Sequence, residues 1–399
     1  MSDGSDLPEL PKPPLTAEQE DWLARVDKVA PLILENRAKA ERDRVTPDVV
    51  FDALRDAGIT RMWISKEFGG SQVALETGSS VLRALARLDG SAAWLMGVQG
   101  ALGRLSDYLP ESTAEELYKK NSRLVIGGIK PTGRAEPVDG GYLLSGEWGL
   151  ASGYSYTEWL MCTAIVTKDG KPVMTPMGPE MRALFIPRSE SEMLDTWYTL
   201  GMRGTGSEDY RVAETFVPEE RTVSRSVMGR APAARPSRAY GLSYLDFGPL
   251  STAPIALGIA EEALDVFKAL ADHKTPTSGT MTLTASHTAQ EKLGRAESLV
   301  YSSRLLLADA ERLATALGDP GSDPMSAQIR LAAATIAENT VTAVNLLFNA
   351  SGSSSLFASS RLEHCFRDIH SVAKHIALST SHFETVGNYL LGGDLRMRR

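Results

Sequence analysis

The amino-acid sequence predicts an α+β protein, mainly α, in three successive parts: an N-terminal helical domain over residues 1–122, a middle β domain over 123–228 and a C-terminal helical bundle over 229–399. Three observations carry this expectation. Apolar residues recur at helical spacing to about Lys120, switch to short or alternating runs between Leu124 and Pro218, and then return to helical spacing. A Pro/Ala/Arg-rich connection, Gly229-Arg-Ala-Pro-Ala-Ala-Arg-Pro236, marks the second switch. The length of 399 residues also exceeds the range of about 50–250 typical of one domain, so several packed units are expected.

In the first part, Thr16 and Gln19 have the spacing of a capping box behind a proline-rich leader, Pro11 to Pro14, which starts a helix. Asp48 to Ile59 is a second, short amphipathic segment. The middle part offers five strands: Leu124 to Ile129, Tyr142 to Trp148, Trp159 to Thr167, Arg182 to Ile186 and Tyr210 to Val217. In the last part Ile255, Ile259, Val266 and Leu270 share one helix face. Leu293, Ala296, Val300, Leu307, Ala310 and Leu317 share another, and Ile329, Ile336, Ala343 and Leu347 a third. Three or four long antiparallel helices ending near Ala350 make a bundle.

Composition narrows the function classes. A net charge of −8 and a pI near 5.5 argue against a nucleic-acid binder, and the basic tail Arg396-Met-Arg-Arg399 is too short to reverse this. Cys162 and Cys365 are far apart in sequence, so no disulfide framework is expected and a reducing, cytoplasmic setting is the default. The start, Met1-Ser-Asp-Gly-Ser-Asp, lacks the basic and apolar regions of a signal peptide, and no uninterrupted apolar run of about 18 residues suggests a membrane span.

Chemistry is expected near the C-terminal end. Four of the six histidines, His364, His370, His375 and His382, fall within nineteen residues, and histidine exchanges protons near neutrality. On a continuous helix His370 and His375 stand about 140° apart and cannot share one small site. The spacing of the four matches no ordinary zinc pattern, so no metal is expected. Just upstream, Ala350-Ser-Gly-Ser-Ser-Ser-Leu356 offers backbone N–H groups and hydroxyls to a phosphate.

Several stretches in order resemble the acyl-CoA dehydrogenase superfold, and within it the flavin-dependent monooxygenases that take reduced flavin from a separate reductase. They are Lys66-Glu-Phe-Gly-Gly-Ser71, Asp89-Gly-Ser-Ala-Ala-Trp94 and the long match from Pro131 to Gly153 that ends in Trp148-Gly-Leu-Ala-Ser-Gly153. They continue with Gly201-Met-Arg-Gly-Thr-Gly-Ser207, Val217-Pro218, Gly352 to Phe357 and Arg367-Asp-Ile-His-Ser-Val-Ala-Lys-His375. The resemblance covers about Thr16 to Gly393 and implies a helical domain, a β-barrel-like domain and a four-helix bundle.

It also implies a site. Ser152 is the matched donor to the flavin edge and His375 the base toward a small phenolic or indolic substrate hydroxylated through a C4a-hydroperoxyflavin. Trp148, Gly153, Arg203, Ser353, Ser354 and Ser355 are the further cofactor contacts, the serines toward the flavin phosphate. Gln99, Trp94 and Tyr154 are placed at the substrate. The cofactor implied is reduced FMN or FAD, with a slight preference for FMN, and O2 is co-substrate. The partners implied are an NAD(P)H:flavin reductase and three further copies of the chain. No G-x-G-x-x-G between strand and helix is present, which agrees with flavin reduced elsewhere. The alternatives on the same fold are acyl thioester oxidation and amine N-hydroxylation. For the first, the dehydrogenases' Y-E-G-like carboxylate segment is missing from Phe383-Glu-Thr-Val-Gly-Asn-Tyr-Leu-Leu-Gly392, where Glu384 is the only substitute.

Overall fold

The computed structural model describes residues 14–176, 178–232, 241–276, 280–315 and 322–395. Leu317, the opening hexapeptide, the basic tail and the end of the connection at Pro236 lie outside the described residues.

The helical start follows from its cap. Thr16 Oγ1 accepts the Gln19 N–H and the Gln19 side chain accepts the Thr16 N–H, and α1 runs from Ala17–Asp43. The helices α2 (Asp48–Asp56), α3 (Leu75–Leu88), α4 (Gly90–Gly103) and α5 (Glu111–Ala114) follow. Helix α4 is apolar on all sides because it is sandwiched, by α3 and α7 on one side and by the sheet on the other.

The strands are β1 (Leu124–Val138), β2 (Gly141–Ala151), β3 (Thr157–Lys168), β4 (Lys171–Pro172), β5 (Met174–Thr175), β6 (Gly178–Pro179), β7 (Met181–Pro187), β8 (Glu192–Leu194), β9 (Glu208–Pro218) and β10 (Thr222–Ser224). Each of the five expected strands is contained in one of these. The main sheet has the order β10-β7-β3-β1-β2-β9-β8, with β4 on β3, and among the described residues its path does not close into a ring. Strands β1 and β3 are parallel while β1 and β2 are an antiparallel hairpin. The chain therefore leaves β2 and crosses the end of β1 to reach β3, a span of roughly 10 Å at the usual strand spacing. That crossing is Ser152 to Tyr156.

After α6 (Arg225–Met228), the bundle comprises α7 (Tyr244–His273), α8 (His287–Thr315) and α9 (Asp323–Ala350), followed by α10 (Arg361–Val372) and α11 (Ser381–Leu390). Helix α9 is long and apolar enough to cross a membrane by length and composition, but it packs among α7, α8, α10 and α11. Glu262 on α7 ties the bundle to both neighbours: Arg361 of α10 reaches Glu262 Oε2 at 2.6 Å and Arg37 of α1 reaches Oε1 at 3.2 Å. Removing one member of a buried ion pair strands a charge at a cost of about 3–5 kcal/mol, so α10 is held in a defined place.

Candidate active site

The Ser152 crossing is shaped by backbone geometry. Leu150 sits in the left-handed region at φ 64° with its side chain 66% exposed, and the Ser152 N–H donates to Leu150 O at 2.9 Å. Gly153 follows at φ 82°, a conformation that favours glycine, and a Cβ there would meet Leu124 and Leu95 at 3.0 and 3.1 Å. The Gly153 N–H donates to Thr205 O at 2.9 Å, which fastens the crossing to the turn Gly201 to Ser207.

That turn is a junction of three parts of the chain. Thr46 Oγ1 donates to Gly204 O at 2.9 Å, and Arg203 Nε donates to Glu41 O at 3.1 Å. From α10, Asp368 Oδ1 accepts the Met202 N–H at 2.6 Å and Arg367 donates to Leu200 O at 2.8 Å. Gly201 is required because a Cβ would lie 2.4 Å from the Arg367 backbone. Burial pushes the Asp368 carboxyl up to about 7, against the lowering effect of the Met202 N–H.

Three hydroxyls line up at this junction. Ser152 Oγ lies 2.7 Å from Ser207 Oγ, Ser207 Oγ lies 2.6 Å from Thr205 Oγ1, and Thr205 Oγ1 donates to Met202 O at 2.8 Å. At the other end the Trp94 indole N–H donates to Ser152 Oγ at 3.0 Å. The same indole meets the His375 imidazole edge to face, with ring centroids 5.0 Å apart and planes at 81°. Trp94 thus stands between Ser152 and His375, and α4, the crossing after β2 and the segment after α10 each contribute one of the three.

His375 does not ride on α10. The helix stops at Val372, and His375 is the cap of the 3-10 turn Ile376–Leu378. The separation of about 140° on a continuous helix therefore does not hold between His370 and His375. His375 Nδ1 accepts the Ala377 N–H at 3.3 Å, and burial pushes the imidazolium down to about 4, so the ring is neutral at pH 7. With Nδ1 accepting, the proton sits on Nε2. A base at Nε2 uses the other tautomer; the Ala377 bond that opposes it is long, and losing it costs about 1 kcal/mol.

The other three histidines of the cluster are engaged elsewhere. His370 Nε2 pairs with Asn345 Oδ1 at 2.9 Å, His364 Nε2 with Ala358 O at 2.9 Å and His382 Nε2 with Ala377 O at 3.2 Å. Trp148 is 1% exposed, donates to Thr163 O at 2.7 Å and stacks on Tyr210. Gln99 Oε1 accepts the Val125 N–H at 3.0 Å and so joins α4 to β1. Tyr154 pairs with Ser191 at 2.8 Å. Arg203 is held against α1. Ser353, Ser354 and Ser355 lie in the 3-10 turn Gly352–Leu356, where Ser354 Oγ accepts from Lys274 Nζ at 2.6 Å and Ser355 Oγ donates to Gly352 O at 2.8 Å. Lys274 adds a cation to that turn, a partner that the spacing of the serines did not reveal. Glu384 is exposed on α11.

The residues around Ser152 fit a flavin. A hydroxyl with hydrogen-bonding capacity to spare sits beside an apolar side chain, Leu150, that strained backbone holds out to solvent, and a neutral imidazole stands across one indole ring. A flat heterocycle whose edge carries N–H and C=O groups needs such surroundings.

The fold is that of the acyl-CoA dehydrogenase class. The Acyl-CoA dehydrogenase, N-terminal domain family matches residues 16–117, and the Acyl-CoA dehydrogenase, C-terminal domain family matches residues 250–380. A pigment production hydroxylase of Rhodococcus sp. (strain ATCC 21145) is 30% identical over 93% of this chain and 96% of its own. The FADH(2)-dependent resorcinol hydroxylase, oxygenase component, of Rhizobium sp. (strain MTP-10005) is 27% identical over 97% and 98%. Among solved structures, XiaF from Streptomyces sp. in complex with FADH2 and glycerol superimposes with a TM-score of 0.86 at 25% identity, over 94% of this chain and 96% of that one. The chain belongs to the two-component flavin-dependent monooxygenases built on the acyl-CoA dehydrogenase fold.

Proposed function

We propose that this chain is an oxygenase component that hydroxylates a small phenolic or indolic compound with reduced flavin and O2. The observation that carries the reading is the Ser152–Trp94–His375 group, in which one indole links a hydroxyl that can face a flavin edge to a neutral imidazole that can face a substrate hydroxyl. Reduced flavin supplies the two electrons with which O2 delivers one oxygen atom to the ring and one to water. The chain's own part is to bind, orient and move one proton. Ser152 holds the flavin edge, and Trp94 keeps the spacing between cofactor and substrate. His375 accepts the substrate hydroxyl's proton as oxygen transfer develops, which raises electron density on the ring. A conjugate acid near 4 gives only a weak base, so the transfer belongs to the transition state rather than to a preformed phenolate.

Ser353 and Ser354 with Lys274 are the proposed phosphate contacts, and either FMN or FAD satisfies them; Ser355, buried with its proton on Gly352 O, serves the turn instead. A separate NAD(P)H:flavin reductase is the inferred partner. Apolar side chains left at the surface of the bundle support a homotetramer, among them Tyr301 and Leu305 on α8 and Leu390 and Leu391 at the end of α11. Monodisperse monomers in light scattering would contradict that assembly. A cytoplasmic location is in keeping with two buried, unpaired cysteines.

The test is to supply reduced FMN or FAD with 18O2 and a panel of phenols and indoles. Mass spectrometry should find one labelled oxygen in the product. Consumption of the reduced flavin with only H2O2 formed across the panel would remove the hydroxylase reading.

A further inference from the structure

The three hydroxyls at the Ser152 junction have a fixed direction. Thr205 Oγ1 donates to Met202 O, a carbonyl that can only accept, so its single proton is committed. The 2.6 Å contact between Thr205 and Ser207 then needs the Ser207 proton, and the 2.7 Å contact between Ser207 and Ser152 needs the Ser152 proton. Three protons serve three contacts and none is left over. Ser152, which also accepts the Trp94 N–H, has one lone pair free and no proton to offer.

We propose that Thr205 and Ser207 are positioning residues that turn Ser152 into an obligate hydrogen-bond acceptor toward the bound flavin. The inference rests on the flavin reading above. Its consequence would be redox-state discrimination at one atom: with N5 against Ser152, the N5 hydrogen of reduced flavin would meet the free lone pair, while the bare N5 lone pair of oxidised flavin would meet another. Both serine and threonine are 2% exposed or less, and water therefore has little access to reset the order. In free solution a serine hydroxyl rotates to suit either flavin form; here the choice is built into Thr205 and Ser207 of the turn Gly201 to Ser207.

The substitutions follow from proton counting. In Thr205→Val the Ser207 proton has lost its acceptor and turns to Ser152, which frees the Ser152 proton to point outward. Ser207→Ala frees it directly. Both variants should therefore bind oxidised flavin better relative to reduced flavin, and Thr205→Ser should behave as the parent protein. Dissociation constants for oxidised and photoreduced FMN and FAD, measured anaerobically by fluorescence quenching, give the ratio without any turnover. The expected shift is roughly fivefold to tenfold toward the oxidised form, the worth of about one hydrogen bond.

Unchanged ratios in Thr205→Val and Ser207→Ala, with both flavin forms still bound, would overturn the inference alone. So would an equal shift in Thr205→Ser, because that variant keeps the hydroxyl. Failure of the parent protein to bind either flavin form would instead overturn the flavin reading. If Thr205→Val is lost to misfolding, Ser207→Ala carries the same prediction from the other side of the contact.

Discussion

Replacing His375 by Gln should change how stability depends on pH by an amount that the site itself sets. The imidazolium is pushed from 6.5 to about 4 by burial, so the folded protein holds a neutral ring where the unfolded chain holds a proton. For a depressed histidine the stabilisation is complete above 6.5 and is lost as pH falls from 6.5 toward 4. Between pH 7.5 and pH 5, linkage gives a loss of about 2 kcal/mol, at 1.36 kcal/mol per pKa unit. The residue keeps some accessible surface, so solvent trims that figure rather than raising it. Gln at 375 does not titrate and can still accept the Ala377 N–H. Denaturant unfolding at the two pH values should therefore show the parent protein losing about 2 kcal/mol more than His375→Gln. Asp368 and Glu311, both pushed up to about 7 by burial, act in the opposite direction but equally in both proteins, so they cancel in the comparison. Equal losses in the two proteins would show that the imidazole is not held neutral, and the weak-base account of His375 would go with it.

Other consequences concern the same residues and the bundle. His375→Ala should leave flavin binding intact and lower product formation by roughly 10²- to 10⁴-fold, the span of general-base contributions, as single-turnover product yields would show. Ser152→Ala should divert reducing equivalents from product to H2O2, measurable with a peroxidase-coupled assay; an unaltered ratio would leave Ser152 only a structural part. Glu311→Gln should flatten a different slope. Its carboxyl is raised from 4.5 to about 7, so the parent protein loses stability as pH rises through that interval, by roughly 2–3 kcal/mol between pH 4.5 and 7, and the amide variant should not.

Much of this was legible in the chain because periodic signals report burial. The five strands and the faces of α7, α8 and α9 follow from side chains that must alternate or recur to reach a core, and the capping box at Thr16 is a local contact between neighbours in sequence. What stayed hidden depends on which element lies next to which. The parallel pairing of β1 and β3 cannot be read from either strand, yet it creates the crossing that presents Ser152. The histidine cluster was misleading as a cluster. His375 meets Trp94 because the helix ends three residues before it, and the run Ser371 to Lys374 carries neither glycine nor proline to announce that end.

Asp368, Thr205 and Ser207 lie in the stretches Arg367 to His375 and Gly201 to Ser207, where sequence alone assigns them no role. A short polar residue in a turn usually satisfies local backbone, and Thr205 does so as well. Their importance lies in bonding across sequence distances of 166 residues, from Met202 to Asp368, and 55, from Ser152 to Ser207. A turn held by the Gly153 backbone, by Thr46 and Glu41 and by a buried carboxyl has little freedom to relax. That rigidity lets a proton order persist where a flexible loop would average it away, so the turn Gly201 to Ser207 belongs to the chemistry of the site as much as to its scaffold.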